Sequence, residues 1–167
     1  MSMSQMLLPE IDHETAKTRK FLERLPEDKF GWQPHPKSMT LGRLATHIAE
    51  MYGWGADTMV TPEFDIAPVG GEAYKSPNFT ERAEVLAMFE ENAKRFRNAV
   101  EGASDAAWGE TWALKAGGQT LFAMPRAAVI RDMILNHVIH HRAQLGLYFR
   151  LNDVAVPAAY GPSADEQ

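Results

Sequence analysis

Proline decides where this chain can form long helices. The ten prolines stand at positions 9, 26, 34, 36, 62, 68, 77, 125, 157 and 162. Inside a helix, proline removes a backbone hydrogen bond and clashes with the preceding turn, so helices belong to the runs between them. In the first run Leu7, Ile11, Thr15, Thr18, Leu22 and Leu25 recur at three- and four-residue steps, the spacing of one helical face. A helix is predicted from Leu7 to Leu25, with Pro26 ending it and Pro9 in its first turn or bending it. Residues 26–39 are a proline-rich loop, with Phe30 and Trp32 as plugs over the core. Thr40 is a candidate N-cap for a second helix whose stripe is Leu41, Leu44, Ile48, Met51, Tyr52, Gly55 and Met59. Gly53 and Gly55 weaken that helix intrinsically and point to close packing against a neighbour.

Residues 61–79 hold Pro62, Pro68, Pro77 and the pair Gly70-Gly71. A link of that length permits a crossover instead of a tight helical hairpin. A third helix is predicted from Thr80 to Gly102, with Val85, Phe89, Ala93, Phe96 and Val100 facing inward and Gly102 as a left-handed stop. Strands are credible only at Thr111–Lys115 and Gln119–Ala123, a short hairpin around Gly117-Gly118. Pro125 opens a fourth helix to Leu151, with Ile130, Ile134, His137, His141, Leu145, Tyr148 and Leu151 on one face. The expected fold is all-α, a four-helix bundle with one long crossover, and residues 1–167 form one domain.

Composition narrows the function. Hydrophobic residues are 45% and charged residues 23% of 167, as in globular proteins. Seventeen Lys and Arg against 22 Asp and Glu give a net charge of −5, without a basic patch, which argues against nucleic-acid binding. The absence of cysteine excludes disulfides, thiolate-ligated metals and a protein thiol nucleophile. The first twelve residues carry no Lys or Arg and no run is apolar enough to span a bilayer, so neither a secretory signal nor membrane association is expected. A cytoplasmic location is the expectation.

His137 and His141 interrupt an otherwise apolar stripe, where an unsatisfied polar group is costly. Four residues apart on a helix, their rings lie about 40° apart around the axis and about 6 Å along it, close enough to share one ion. Taken alone, the spacing somewhat favours a hydrogen-bonded core pair over a metal site. His47, bordering the inward face of the second helix, is the candidate third ligand. Three neutral imidazoles suit zinc, nickel, copper, cobalt or iron(II). His140 points about 100° away from His141, His13 lies on the outer face of the first helix, and His35 lies in a loop; none is counted as a ligand. A carboxylate-bridged di-iron site fails for lack of Glu-x-x-His pairs, and no Gly-x-Ser-x-Gly elbow supports a serine hydrolase. A histidine-ligated haem has no attachment motif behind it.

Three segments carry a family resemblance: Phe30-Gly31-Trp32-Gln33-Pro34 leading into Ser38–Ile48, Asn136–Leu145, and Val156–Glu166. In that order they resemble the DinB (DinB/YfiT-like) family of damage-inducible, metal-binding bundles. The resemblance implies a homodimer involved in stress response and a three-histidine metal site mapping onto His47, His137 and His141. Zinc or nickel is the implied metal. It further implies an enzyme acting on a small molecule, either a transferase that uses a low-molecular-weight thiol or a metal-assisted hydrolase. The alternative is a non-enzymatic protein with a structural or sensing metal. Tyr52, Trp54 and Arg142 are candidates for the pocket wall.

Overall fold

The computed structural model describes all 167 residues. The first helix, α1 (Met3–Leu22), begins before the expected Leu7 because a reciprocal cap starts it. The Ser2 hydroxyl accepts from the Gln5 amide, the Gln5 side chain accepts from the Ser2 amide, and the Met3 amide donates to Asp105. Pro9 therefore lies inside the helix, not in its first turn. After a short turn at Glu27–Lys29 comes α2 (Leu41–Val60), capped by Thr40, whose hydroxyl accepts from the Arg43 amide. Helix α2 is buried along almost its whole length, from Leu41 through Met59. The glycines explain how its neighbour comes so close. A Cβ at Gly53 would stand 2.9 Å from Asn92 Oδ1, and one at Gly55 would stand 2.9 Å from the Phe96 ring.

Those two neighbours lie on α3 (Arg82–Glu101), whose predicted inward residues Val85, Phe89, Ala93, Phe96 and Val100 are all buried. Gly102 ends it with φ −81°, so the expected left-handed stop is not used. A short helix, α4 (Asp105–Gly109), follows and buries Trp108 against α1 through the indole N–H to Ser4 Oγ bond. The final helical rod is composite: a turn α5 (Arg126–Ala128), a π-helical stretch Val129–Asn136, and α6 (His137–Leu151). Its inward stripe is buried from Ile130 to Tyr148 except at His137, which is half-buried; Leu151, expected on that face, is 56% exposed.

Helices α1 and α2 both pack against α3 and against α6, around a core of 27 buried residues drawn from each of these rods. The chain is thus predominantly helical, with a long crossover between α2 and α3. The expected isolated hairpin is corrected to a three-stranded sheet. Strands β2 (Thr111–Ala116) and β3 (Gln119–Pro125) pair antiparallel, and β1 (Glu63–Asp65), from inside the crossover, adds to β2 in parallel. Asp65 locks this arrangement. Its carboxylate accepts from the amides of Gly117 and Gly118, the hairpin turn with positive φ, and from that of Ala67. No helix is long and apolar enough to cross a membrane.

Candidate metal centre

Helices α2 and α6 bring His47, His137 and His141 together, with a ligating atom of each within 4.8 Å of the others. The ring centroids of His47 lie 5.2 Å from His137 and 4.8 Å from His141. His47 and His141 are each only 8% exposed. Hydrogen-bond partners orient two of the rings. His141 Nδ1 lies 2.7 Å from Gln144 Oε1, and His137 Nδ1 lies 3.3 Å from the Met133 carbonyl. Both partners are acceptors, so each Nδ1 carries the proton and each Nε2 presents a lone pair.

Those two Nε2 atoms are 2.9 Å apart. Two lone pairs at that distance repel unless a proton or a cation lies beside them. A proton is disfavoured: burial lowers the pKa of His137, and burial together with the neighbouring imidazoles outweighs the Gln144 bond to bring His141 down to about 4. At neutral pH the pair is two neutral donors aimed at one region, the protonation state a transition metal needs.

His47 completes the argument. Its Nδ1 is buried without a hydrogen-bond partner, 3.7 Å from Glu50 Oε2. Glu50 is itself 2% exposed. Its oxygens accept from Tyr74 Oη and from the Arg43 guanidinium, each at 2.7 Å. Burial pushes the Glu50 carboxyl up, but His47, Tyr74, Arg43 and Ser76 together outweigh it and hold the pKa at about 2. A carboxylate behind a histidine is a common device for fixing a metal-ligating ring. The donor set and the facing lone pairs fit a bound divalent ion. Reasoning from the sequence missed Glu50, although His47 and Glu50, three apart on one helix, carry the signal.

The other expected pocket residues divide. Trp54, seven residues after His47 and so on the same face of α2, packs edge-on to the His47 ring at 5.3 Å. Tyr52 is about 140° away around the axis. It is buried between Phe89 and Phe96 and donates to Thr18 Oγ1. Arg142 points at α1, where it donates to the Glu14 carboxylate and carbonyl, to Thr18 and to Tyr160. Neither Tyr52 nor Arg142 lines the cavity beside the histidines. His13, His35 and His140 are exposed; His140 lies beside His141 and contacts Gln144.

That cavity has a volume of about 340 Å³ and lies between α2, the crossover, the sheet and the π-helical stretch. Its wall runs from His137 through Met133, Ile134 and Val129 to Trp112, Leu114 and Phe122 on the sheet. Trp54, Phe64, Ile66 and Tyr74 close the other side.

Fold and site together define a predominantly helical protein with a buried three-histidine cluster capable of coordinating a metal. The DinB superfamily model matches residues 10–145, and the chain belongs to that superfamily. Three crystal structures share the fold. A DinB-like protein from Bacillus cereus is 23% identical, with a TM-score of 0.70 over 92% of this chain and 95% of its own. The DinB-like YjoA of Bacillus subtilis is 14% identical, with a TM-score of 0.70 over 93% and 99%. A DinB-family protein from Exiguobacterium sibiricum is 13% identical, with a TM-score of 0.65 over 95% and 97%. No curated protein matches the chain.

Proposed function

We propose that this protein is a metal-dependent enzyme built on a four-helix DinB-type bundle, with His47, His137 and His141 holding one divalent transition ion, zinc or nickel. The observation that carries this reading is position: the three imidazoles converge at the wall of an apolar cavity, and His137 belongs to both. A purely structural metal has no use for a cavity beside its ligands, whereas a catalytic one needs an open side. When bound there, a divalent ion supplies Lewis acidity that lowers the pKa of a thiol or a water molecule. The chain's own residues supply the rest. Gln144 and the Met133 carbonyl hold two rings in the ligating tautomer, and Glu50, braced by Arg43 and Tyr74, stands behind the third. The apolar cavity borders the open side. Because the chain lacks cysteine, a thiol nucleophile has to come from a small molecule. Thiol-dependent transfer and hydrolysis are thus the two reaction types this site supports. The homodimer, the stress-response role and the cytoplasmic location implied by the resemblance belong to the same reading.

Metal analysis of freshly purified protein, without chelators, tests it. About one ion per chain is expected in the wild type and a strongly reduced content in His47→Ala and His141→Ala. A wild type free of stoichiometric metal overturns the reading. Metal removal by a chelator is expected to abolish turnover of a thiol-plus-electrophile or ester panel while the helical circular dichroism persists. Loss of the fold along with the metal favours the structural or sensing role instead.

A further inference from the structure

The polar side chains on the cavity wall are mostly committed within the protein; the exception is the Trp112 indole N–H, a neutral donor buried without a partner. Tyr74 Oη donates to Glu50, the Asp57 carboxylate accepts from Arg95 at 2.6 Å, Ser76 Oγ accepts from Arg43 at 2.7 Å, and Thr58 Oγ1 donates to the Trp54 carbonyl at 2.8 Å. No Lys or Arg is among the lining residues. A carboxylate or phosphate lying along these walls, away from the His137 end, would lose its hydration and meet no cationic side chain, a cost that isolated buried charges do not recover. Flat side chains dominate what remains: Trp54, Phe64, Tyr74, Trp112 and Phe122 stand around the space. Such walls favour a planar apolar guest through offset and edge-to-face contacts. The volume of about 340 Å³ lies at the small end of the range for small-molecule pockets.

We infer that the cavity takes an uncharged, flat, apolar group of the substrate, of one or two rings, and delivers the atom next to it to the His137 end. This deepens the proposed enzymatic reading and rests on it. A charged small thiol therefore does not fill the cavity; its occupant is the second, apolar reactant, the electrophile of a transfer or the acyl group of a hydrolysis.

Two probes of the same ring size separate the chemistry: 2-acetonaphthone, neutral, and 2-naphthoate, anionic. Each is titrated calorimetrically into the full-length protein, metal-depleted and metal-loaded, with metal content measured on the same samples. The neutral probe is expected to bind both forms about tenfold or more tighter than naphthoate binds the metal-depleted form. Leu114→Trp fills the cavity from a strand position that tolerates aromatics, and is expected to weaken neutral-probe binding by about tenfold or more. Phe122→Ala removes one of the flat walls, is expected to weaken neutral-probe binding severalfold, and serves as the second variant if the first misfolds; undiminished binding by it also overturns the inference. Absent binding of the neutral probe, equal binding of the two probes to metal-depleted protein, or undiminished binding by a folded Leu114→Trp overturns the inference. Loaded metal without probe binding removes this inference alone. Probe binding in a protein that never takes up metal removes the metal reading instead.

Discussion

Glu50 shows how much chemistry a single buried side chain can carry. It is negative at any physiological pH, sits behind His47, and is braced by Tyr74 from the crossover and Arg43 from its own helix. Glu50→Gln keeps the shape and removes the charge, and Arg43, a third exposed, can turn to water. Such changes behind a ligand cost about 10–100-fold in metal affinity. A fall of that size is expected in competition with a chromogenic chelator, on variant protein shown to be folded by circular dichroism; unchanged affinity would remove Glu50 from the site. At this scale the sequence was informative wherever helical geometry applied. Positions 137 and 141 follow from a four-residue step, and His47 from its place beside the Leu44–Ile48 stripe. The same arithmetic separates Trp54, in phase with His47, from Tyr52, out of phase with it. Arg142 and Glu50 were hidden because a charged residue reads as surface until its buried partner on another helix is known.

Between elements, the closeness of α2 and α3 is written in the glycines, and the structure makes that quantitative. Phe96 is fully buried, so its ring cannot retreat from a methyl group placed at 2.9 Å. Gly55→Ala is expected to destabilise by about 1–3 kcal/mol from overpacking, partly offset by the helix preference of alanine, about 1 kcal/mol. Gly109→Ala, which meets nothing within 4 Å, is the reference and is expected to leave stability nearly unchanged. Urea unfolding of both variants checks the pair, and equal midpoints would mean that α2 and α3 separate easily. Other features at this scale left little trace in the sequence. Strand β1 is three residues long and gains its pairing from β2, about fifty residues further on, so no local alternation announces it. The π-helical stretch contains neither Pro nor Gly; its widened turns come from tertiary packing and lead directly into His137. Wide turns of this kind frequently occur at functional sites, and here they border the cavity.

Across the whole molecule, three sets of buried titratable groups make stability depend on pH, the histidine pair, Glu14 and Glu50, and their signs agree. In the metal-free protein the folded forms of His137 and His141 have pKa values below the ordinary 6.5, with His141 at about 4. Between those values the unfolded chain binds protons that the folded chain does not, so stability rises with pH across the window and falls on acidification. Glu14 acts lower. Burial raises its carboxyl, but hydrogen bonds from Arg142, Tyr160 and Lys17 and the charge of Arg142 outweigh it and leave the pKa below 4.5. Its contribution is complete above about 4.5 and is lost as the pH falls through the lower folded value. This carboxylate joins α1 to α6 through Arg142 and to the C-terminal segment through Tyr160, whose ring also lies under the Lys17 ammonium at 3.5 Å. In Glu14→Gln the buried Arg142 loses its counter-charge, and a loss of about 3–5 kcal/mol at neutral pH is expected. Urea midpoints measured from pH 3 to pH 8 on metal-free protein should then separate the histidines from Glu14. The variant should keep the decline between 6.5 and about 4, which belongs to the histidines, and show a shallower further decline below 4.5, the remainder belonging to Glu50. An unaltered acid limb in the variant would mean that Glu14 is not the group whose protonation loosens the fold.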